Sequence, residues 1–172
     1  RVQGAQVRAT WPTTITGAAA NVGGVDGAGP SLPQAPDASV QAAITLRNFA
    51  DAPVRGTLQV QFVPRNFSGP TLMLPGQAVR LPRGDTTLTI TGTVPQPVLW
   101  QPWDRGDPNL YTVRVTVSAE GKPLGTYATA FGFRQVLVGP NWDWTVNGQP
   151  YFVRGSSYFS SQWLAQTNAA QF

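Results

Sequence analysis

Apolar and polar residues alternate with a period of two along most of the chain up to Phe133. This is the mark of strands with one face buried and one face wet. Val2 to Thr10 alternates loosely. From Ser39 the pattern sharpens: Val40, Ala42, Ile44 and Leu46 interleave with Gln41, Ala43, Thr45 and Arg47. Asn48 to Pro53 turns the chain, and Leu58, Val60 and Phe62 then alternate with Thr57, Gln59 and Gln61. Ala78–Leu81 and Thr86–Val94 read as two further strands around the turn Pro82-Arg83-Gly84-Asp85. Tyr111, Val113, Val115 and Val117 form the next, and Glu120-Gly121-Lys122-Pro123 turns it back into Leu124–Phe133. Segments of this length, spaced by turn residues and without an amphipathic helix, predict an all-β, immunoglobulin-like antiparallel β-sandwich of about seven strands over residues 1–138. The expected core is Val40, Ile44, Leu46, Leu58, Val60, Phe62, Leu88, Ile90, Val113, Val115 and Val117. Each such side chain contributes about 1.5–3 kcal/mol when buried, enough for folding without disulfides.

Two regions break the alternation. Residues 17–38 are rich in Gly, Ala and Pro with almost nothing large and apolar, and read as a flexible loop. Gly24, Gly27 and Gly29 around Asp26 lack the spacing of a phosphate cradle. After Gly139, Asn141-Trp142-Asp143-Trp144 suggests two tryptophans on one strand face. Asn147-Gly148 between Thr145-Val146 and Tyr151-Phe152-Val153 is a strong hairpin signal. Ser161 to Phe172 is mixed, with the character of a helix beginning. Residues 139–172 are therefore expected to form a hairpin and the first segment of a second unit, as if cut from something longer.

Composition narrows the chemistry. The 172 residues include 18 glycines and 16 prolines, which excludes a helical bundle. There is no histidine and no cysteine. Ser-His-Asp triads, thiol nucleophiles, disulfides and His/Cys metal sites are thereby excluded, and neither a metal nor a cofactor is expected. Charged residues are 12% of the chain and the net charge is +4. The arginines are scattered and not gathered on one face, so a nucleic-acid partner is not expected. No apolar run is long enough for a transmembrane helix, and no membrane partner is expected. Oligomeric state and compartment are left open. Asn66-Phe67-Ser68 fits the N-glycosylation pattern, a short motif that arises readily by chance.

One series of motifs stands out by its order: Leu99-Trp100-Gln101-Pro102, Pro108-Asn109-Leu110-Tyr111, Phe131-Gly132-Phe133-Arg134, Asn147-Gly148-Gln149-Pro150 and Arg154-Gly155. It resembles glycoside hydrolase family 2. The resemblance implies an immunoglobulin-like sandwich ending in Phe-Gly-Phe-Arg, followed by an Asn-Gly hairpin and an Arg-Gly step into a TIM barrel. It implies a β-glycosidase as the whole protein, with carbohydrate as substrate, and scaffold roles at the domain junction for Trp100, Tyr111, Phe131, Gly132, Phe133, Arg134, Asn147, Gly148, Arg154 and Gly155. After the Arg-Gly step the sequence departs from the family pattern at Ser156-Ser157-Tyr158-Phe159, so a sugar specificity does not carry over. The spacing Trp103-x-x-Gly106-x-Pro108 and the Tyr151-Phe152-Val153-Arg154-Gly155 run look more like the mannosidase and glucosaminidase branch.

Retaining glycosidases need two carboxyl groups about 5–5.5 Å apart. The single glutamate, Glu120, sits in a predicted hairpin turn, and Asp104 and Asp107 read as turn formers beside Arg105. Catalytic residues are expected downstream of Phe172 and none within the chain, which leaves a non-catalytic domain bracing the barrel. A first alternative is a carbohydrate-binding module using exposed aromatics, with Trp142, Trp144 and Tyr158 as candidates. A second is an extracellular adhesion domain, suggested by Arg-Gly-Asp at 83–85 and 105–107.

Overall fold

A computed structural model describes residues 2–11, 15 and 35–155. Most of the 17–38 segment, together with Tyr158 and all of 156–172, lies outside the described residues. The strands are β1 (Val2–Thr10), β2 (Ala38–Asn48), β3 (Val54–Pro64), β4 (Leu72–Met73), β5 (Gln77–Leu81), β6 (Gly84–Val94), β7 (Tyr111–Ala119), β8 (Lys122–Phe131), β9 (Val136–Val138), β10 (Trp144–Val146) and β11 (Gln149–Tyr151). No helix occurs among the described residues.

Two antiparallel sheets face each other. One is ordered β1-β2-β6; the other is ordered β4-β3-β7-β8, with β5 also pairing with β3. In the first, Ala42 lies opposite Ile90 and Ile44 opposite Leu88; in the second, Val60 lies opposite Val115 and Phe62 opposite Val113. The strict period of two puts each of these rows on one face, so both sheets turn an apolar row inward. Every expected core residue is buried except Leu88, which is half-buried and packs against the rest. The core also takes in Leu74, Val79, Val94, Leu99, Tyr111 and Phe133. This is the predicted immunoglobulin-like sandwich.

The β7–β8 return differs from a plain hairpin. Glu120 and Gly121 both have positive φ, as a two-residue turn matching strand twist requires. A register shift follows at Val117/Ser118, which leaves Leu124 half exposed. β8 ends at Phe131, two residues short of the expected end, because Phe133 leaves the β7 ladder and bridges Leu99 in parallel. A third, smaller sheet, ordered β11-β10-β9, follows the sandwich. The Asn-Gly hairpin is present as predicted: Val146 pairs with Gln149, and Asn147 and Gly148 both have positive φ. β9 was not anticipated; it pairs with β10 and draws Val136–Val138 into this sheet.

Candidate functional site

The motif residues converge at one end of the sandwich, where it meets the small sheet. The cluster begins with aromatics: Phe62, Phe131 and Phe133 lie within 5.0–6.0 Å of one another by ring centroid. Tyr111 meets Phe133 edge-on at 5.3 Å and Phe67 at 4.9 Å. Such packing fixes ring orientation as well as burying area. The Tyr111 hydroxyl accepts a hydrogen bond from the Val98 amide at 3.0 Å. Burial raises the phenol above its ordinary pKa, and the Val98 N–H works in the opposite direction by favouring the phenolate.

This tyrosine bond anchors the 97–101 segment along the sandwich end. The Trp100 amide donates to the Phe133 carbonyl at 2.8 Å. Gly132 lies beneath the Trp100 side chain: a Cβ there would come within 2.9 Å of the Trp100 Cβ. The requirement for glycine between two phenylalanines is thus a close approach of backbone to an indole. The Arg134 guanidinium lies over the opposite part of the motif, 5.0 Å from the Trp100 ring centroid. The partner the structure gives Arg134 is an aromatic face.

Two asparagines secure the carbonyls this segment exposes. Asn109 Nδ2 donates to Leu99 O at 3.1 Å, and Asn147 Nδ2 donates to Trp100 O at 2.8 Å. Asn147 is fully buried, and its Oδ1 accepts from the Gln135 amide at 2.9 Å. Its own amide donates to Gln135 O at 2.8 Å. One turn residue therefore joins the hairpin, the 100 segment and the strand leading into β9. Gly148 supplies the second left-handed position of that turn. Arg154 and Gly155 are exposed beyond β11. Neither Asn109 nor Gln135 was singled out from sequence; the only signal was the place of Asn109 between Pro108 and Leu110-Tyr111.

The remaining candidates are placed as follows. Trp142 is not in a strand with Trp144. It sits in the 139–143 turn at φ 60°, while Trp144 opens β10 opposite Tyr151. An open cleft of about 570 Å³ lies beside them, lined by Arg105, Asp143 and the rings of Trp142, Trp144, Tyr151 and Phe152. Asp104 and Asp107 are exposed in the 103–107 turn, and Glu120 is exposed in its hairpin. In the first Arg-Gly-Asp copy, Arg83 pairs with Asp51 and Asp85 with Arg47. In the second, Arg105 lies over the Tyr151 ring at 6.0 Å. Asn66 is engaged on both sides of its amide: Nδ2 donates to Pro108 O at 3.0 Å and Oδ1 accepts from the Leu110 amide at 2.7 Å. Among the described residues no group of three His, Cys, Asp or Glu is placed to hold a metal.

A sandwich with a clamped three-stranded sheet at one end defines the class: an immunoglobulin-like β-sandwich domain. The exo-chitosanase of Amycolatopsis orientalis matches 99% of this chain, with a TM-score of 0.61 and 20% identity, over 17% of its own length. The β-D-mannosidase of Dictyoglomus thermophilum matches 93%, with a TM-score of 0.60 and 19% identity, again over 17% of its length. Residues 29–134 match the profile of glycosyl hydrolases family 2, and the chain belongs to that family. It is 36% identical over 93 residues to an exo-β-D-glucosaminidase of Hypocrea jecorina, which is 51% of this chain and 10% of the relative. It is 32% identical over 89 residues to β-mannosidase A of Aspergillus flavus, which is 42% of this chain and 10% of the relative. The chain spans about a tenth of the length of these relatives.

Proposed function

We propose that this chain is the sandwich domain, with the first stretch of the barrel, of a multidomain β-glycosidase that hydrolyses O-glycosidic bonds. Strands β1 to β8 make up the sandwich, and the chain from β9 onward leads into the catalytic barrel. The domain does not cut sugar itself; it braces the barrel and fixes its angle, and carbohydrate is met through the whole enzyme.

The observation that carries this reading is the Asn147 clamp. A buried asparagine bonded to both Trp100 O and the Gln135 amide holds the hairpin rigidly on the sandwich, so whatever follows β11 starts from a fixed position. The Trp100–Gly132 contact and the Arg134 stack stiffen the same junction. Val136, Leu137 and Val138 in β9 are each 41–48% exposed, an apolar edge strand of the sort that normally has a partner. Among the described residues, Asp104 and Asp107 occupy an exposed turn and Glu120 lies in the β7–β8 hairpin turn, not in a shielded cleft of the kind a glycosidase acid needs. The coding sequence beyond Phe172 tests the reading. It is expected to continue into a barrel with two glutamates at strand ends; a reading frame that stops near Phe172 contradicts it.

A further inference from the structure

We propose that the cleft between the 103–107 turn and the β10–β11 hairpin binds a pyranose ring of a neutral oligosaccharide. The starting observation is Trp142. A tryptophan at φ 60° is strained, since a left-handed conformation costs a residue with a Cβ about 1–3 kcal/mol. Strain of this kind is ordinarily offset by packing, yet Trp142 is 79% exposed. The turn that holds it is closed twice, by the Gly139 amide on Asp143 O at 2.8 Å and the Trp142 amide on Gly139 O at 3.1 Å. Gly139 lies directly against the Asp143 carboxylate, the free end of an exposed side chain. The fold thus holds an indole out from a rigid turn, at a cost in free energy and without burying it.

The surroundings indicate what the indole meets. Trp144 and Tyr151 face each other across the hairpin and line the same cleft as Trp142. The Tyr151 hydroxyl lies 3.4 Å from Asp104 Oδ1, and the Arg105 guanidinium lies over its ring. Asp143 and Arg105 give the cleft a carboxylate and a guanidinium as well as rings. Flat aromatic faces take the C–H face of a sugar, and charged planar groups take its hydroxyls in bidentate hydrogen bonds. The volume lies within the range of roughly 300–1,000 Å³ usual for small-molecule sites. A nucleic acid is disfavoured because acids accompany the single arginine. The sugar assignment rests on the carbohydrate part of the proposed function. The bracing role is judged separately, by the coding sequence, so failure of one leaves the other standing.

The test is titration of the 172-residue chain with mannotetraose, cellotetraose and the N-acetylglucosamine tetramer, all neutral, followed by tryptophan fluorescence and amide NMR shifts. At least one tetramer is expected to saturate at concentrations below about 20 mM, with shifts centred on Arg105, Trp142, Trp144 and Tyr151. Trp142→Gly relieves the left-handed strain, so it is expected to keep or raise the melting temperature while weakening binding about tenfold or more. Arg105→Ala weakens it about threefold, and Trp103→Ala, exposed but outside the cleft, changes it less than about twofold. Absence of saturation by all three tetramers, shifts that map elsewhere, or unchanged affinity in Trp142→Gly each overturns the proposal.

Discussion

The sandwich and the small sheet beside it are held by different forces. Between β1 and β8, stability comes from area: long strands turn Val, Ile, Leu and Phe rows against each other, and nearly every inward position is buried. The β9–β11 sheet has strands of three residues and an exposed apolar edge. A sheet of that size does not stand alone in water. It is held by a few specific bonds, chiefly those of Asn147, and by the register its turn imposes. The sandwich can lose a surface contact and persist, whereas the small sheet depends on single atoms. That suits the proposed role of a rigid brace with an accurately placed junction.

The contrast is broken most strongly from the sandwich side. Phe62→Ala removes a fully buried ring that touches Tyr111, Phe131 and Phe133. It is expected to destabilise the domain by about 3–5 kcal/mol, read by urea denaturation as one cooperative loss. Asn147→Ala acts on the other region. It removes the side-chain partner of the part-buried Gln135 amide and Trp100 carbonyl, at a cost of about 1 kcal/mol for each lost bond. The loss is expected to be local: hydrogen exchange speeds up over 135–151 while β2, β3 and β7 stay protected. Asn147→Gly, which keeps the left-handed turn, separates backbone strain from the missing side chain.

Tyr111→Phe sharpens the boundary between the regions. It removes the acceptor of the Val98 amide and costs about 1–3 kcal/mol at neutral pH. It also changes the alkaline limb. The folded phenol has a raised pKa, so its contribution is complete below the unfolded value of about 10 and is lost as pH rises through the folded value. The natural chain is therefore expected to lose stability above about pH 10 more steeply than Tyr111→Phe in melting curves taken across that range. The smallest effect is at the surface. Asp51→Asn removes an ion pair to Arg83 in which both side chains are more than two-thirds exposed, and thermal melts should show a change under about 0.5 kcal/mol.

These two kinds of stabilisation also explain what could be read from the sequence. The sandwich was legible because burial follows a period of two: Val40 to Leu46 and Val113 to Val117 announce their faces without any knowledge of partners. The Asn-Gly hairpin was legible because positive φ at two successive residues restricts the choice of residue. β9 was not, since Val136-Leu137-Val138 is too short for periodicity and shows no alternation in exposure. The roles of Asn109, Gln135 and Asn147 in satisfying distant carbonyls and amides depend on long-range geometry, which local pattern does not carry. The Arg134 stack on Trp100 depends on long-range approach in the same way, since the indole reaches it from a distant segment of the chain. In the cleft, two tryptophans two residues apart suggested a shared strand face. The positive φ at Trp142 places one of them in a turn instead.

In the proposed function, this family 2 sandwich domain positions the catalytic machinery without supplying it. Incubating the purified 172-residue chain with p-nitrophenyl β-D-mannoside, β-D-glucoside, β-D-galactoside and β-D-glucosaminide tests it most directly. Release of nitrophenol is expected to be no faster than in buffer alone. Hydrolysis above that rate, abolished by Asp104→Asn or Asp107→Asn, would contradict it.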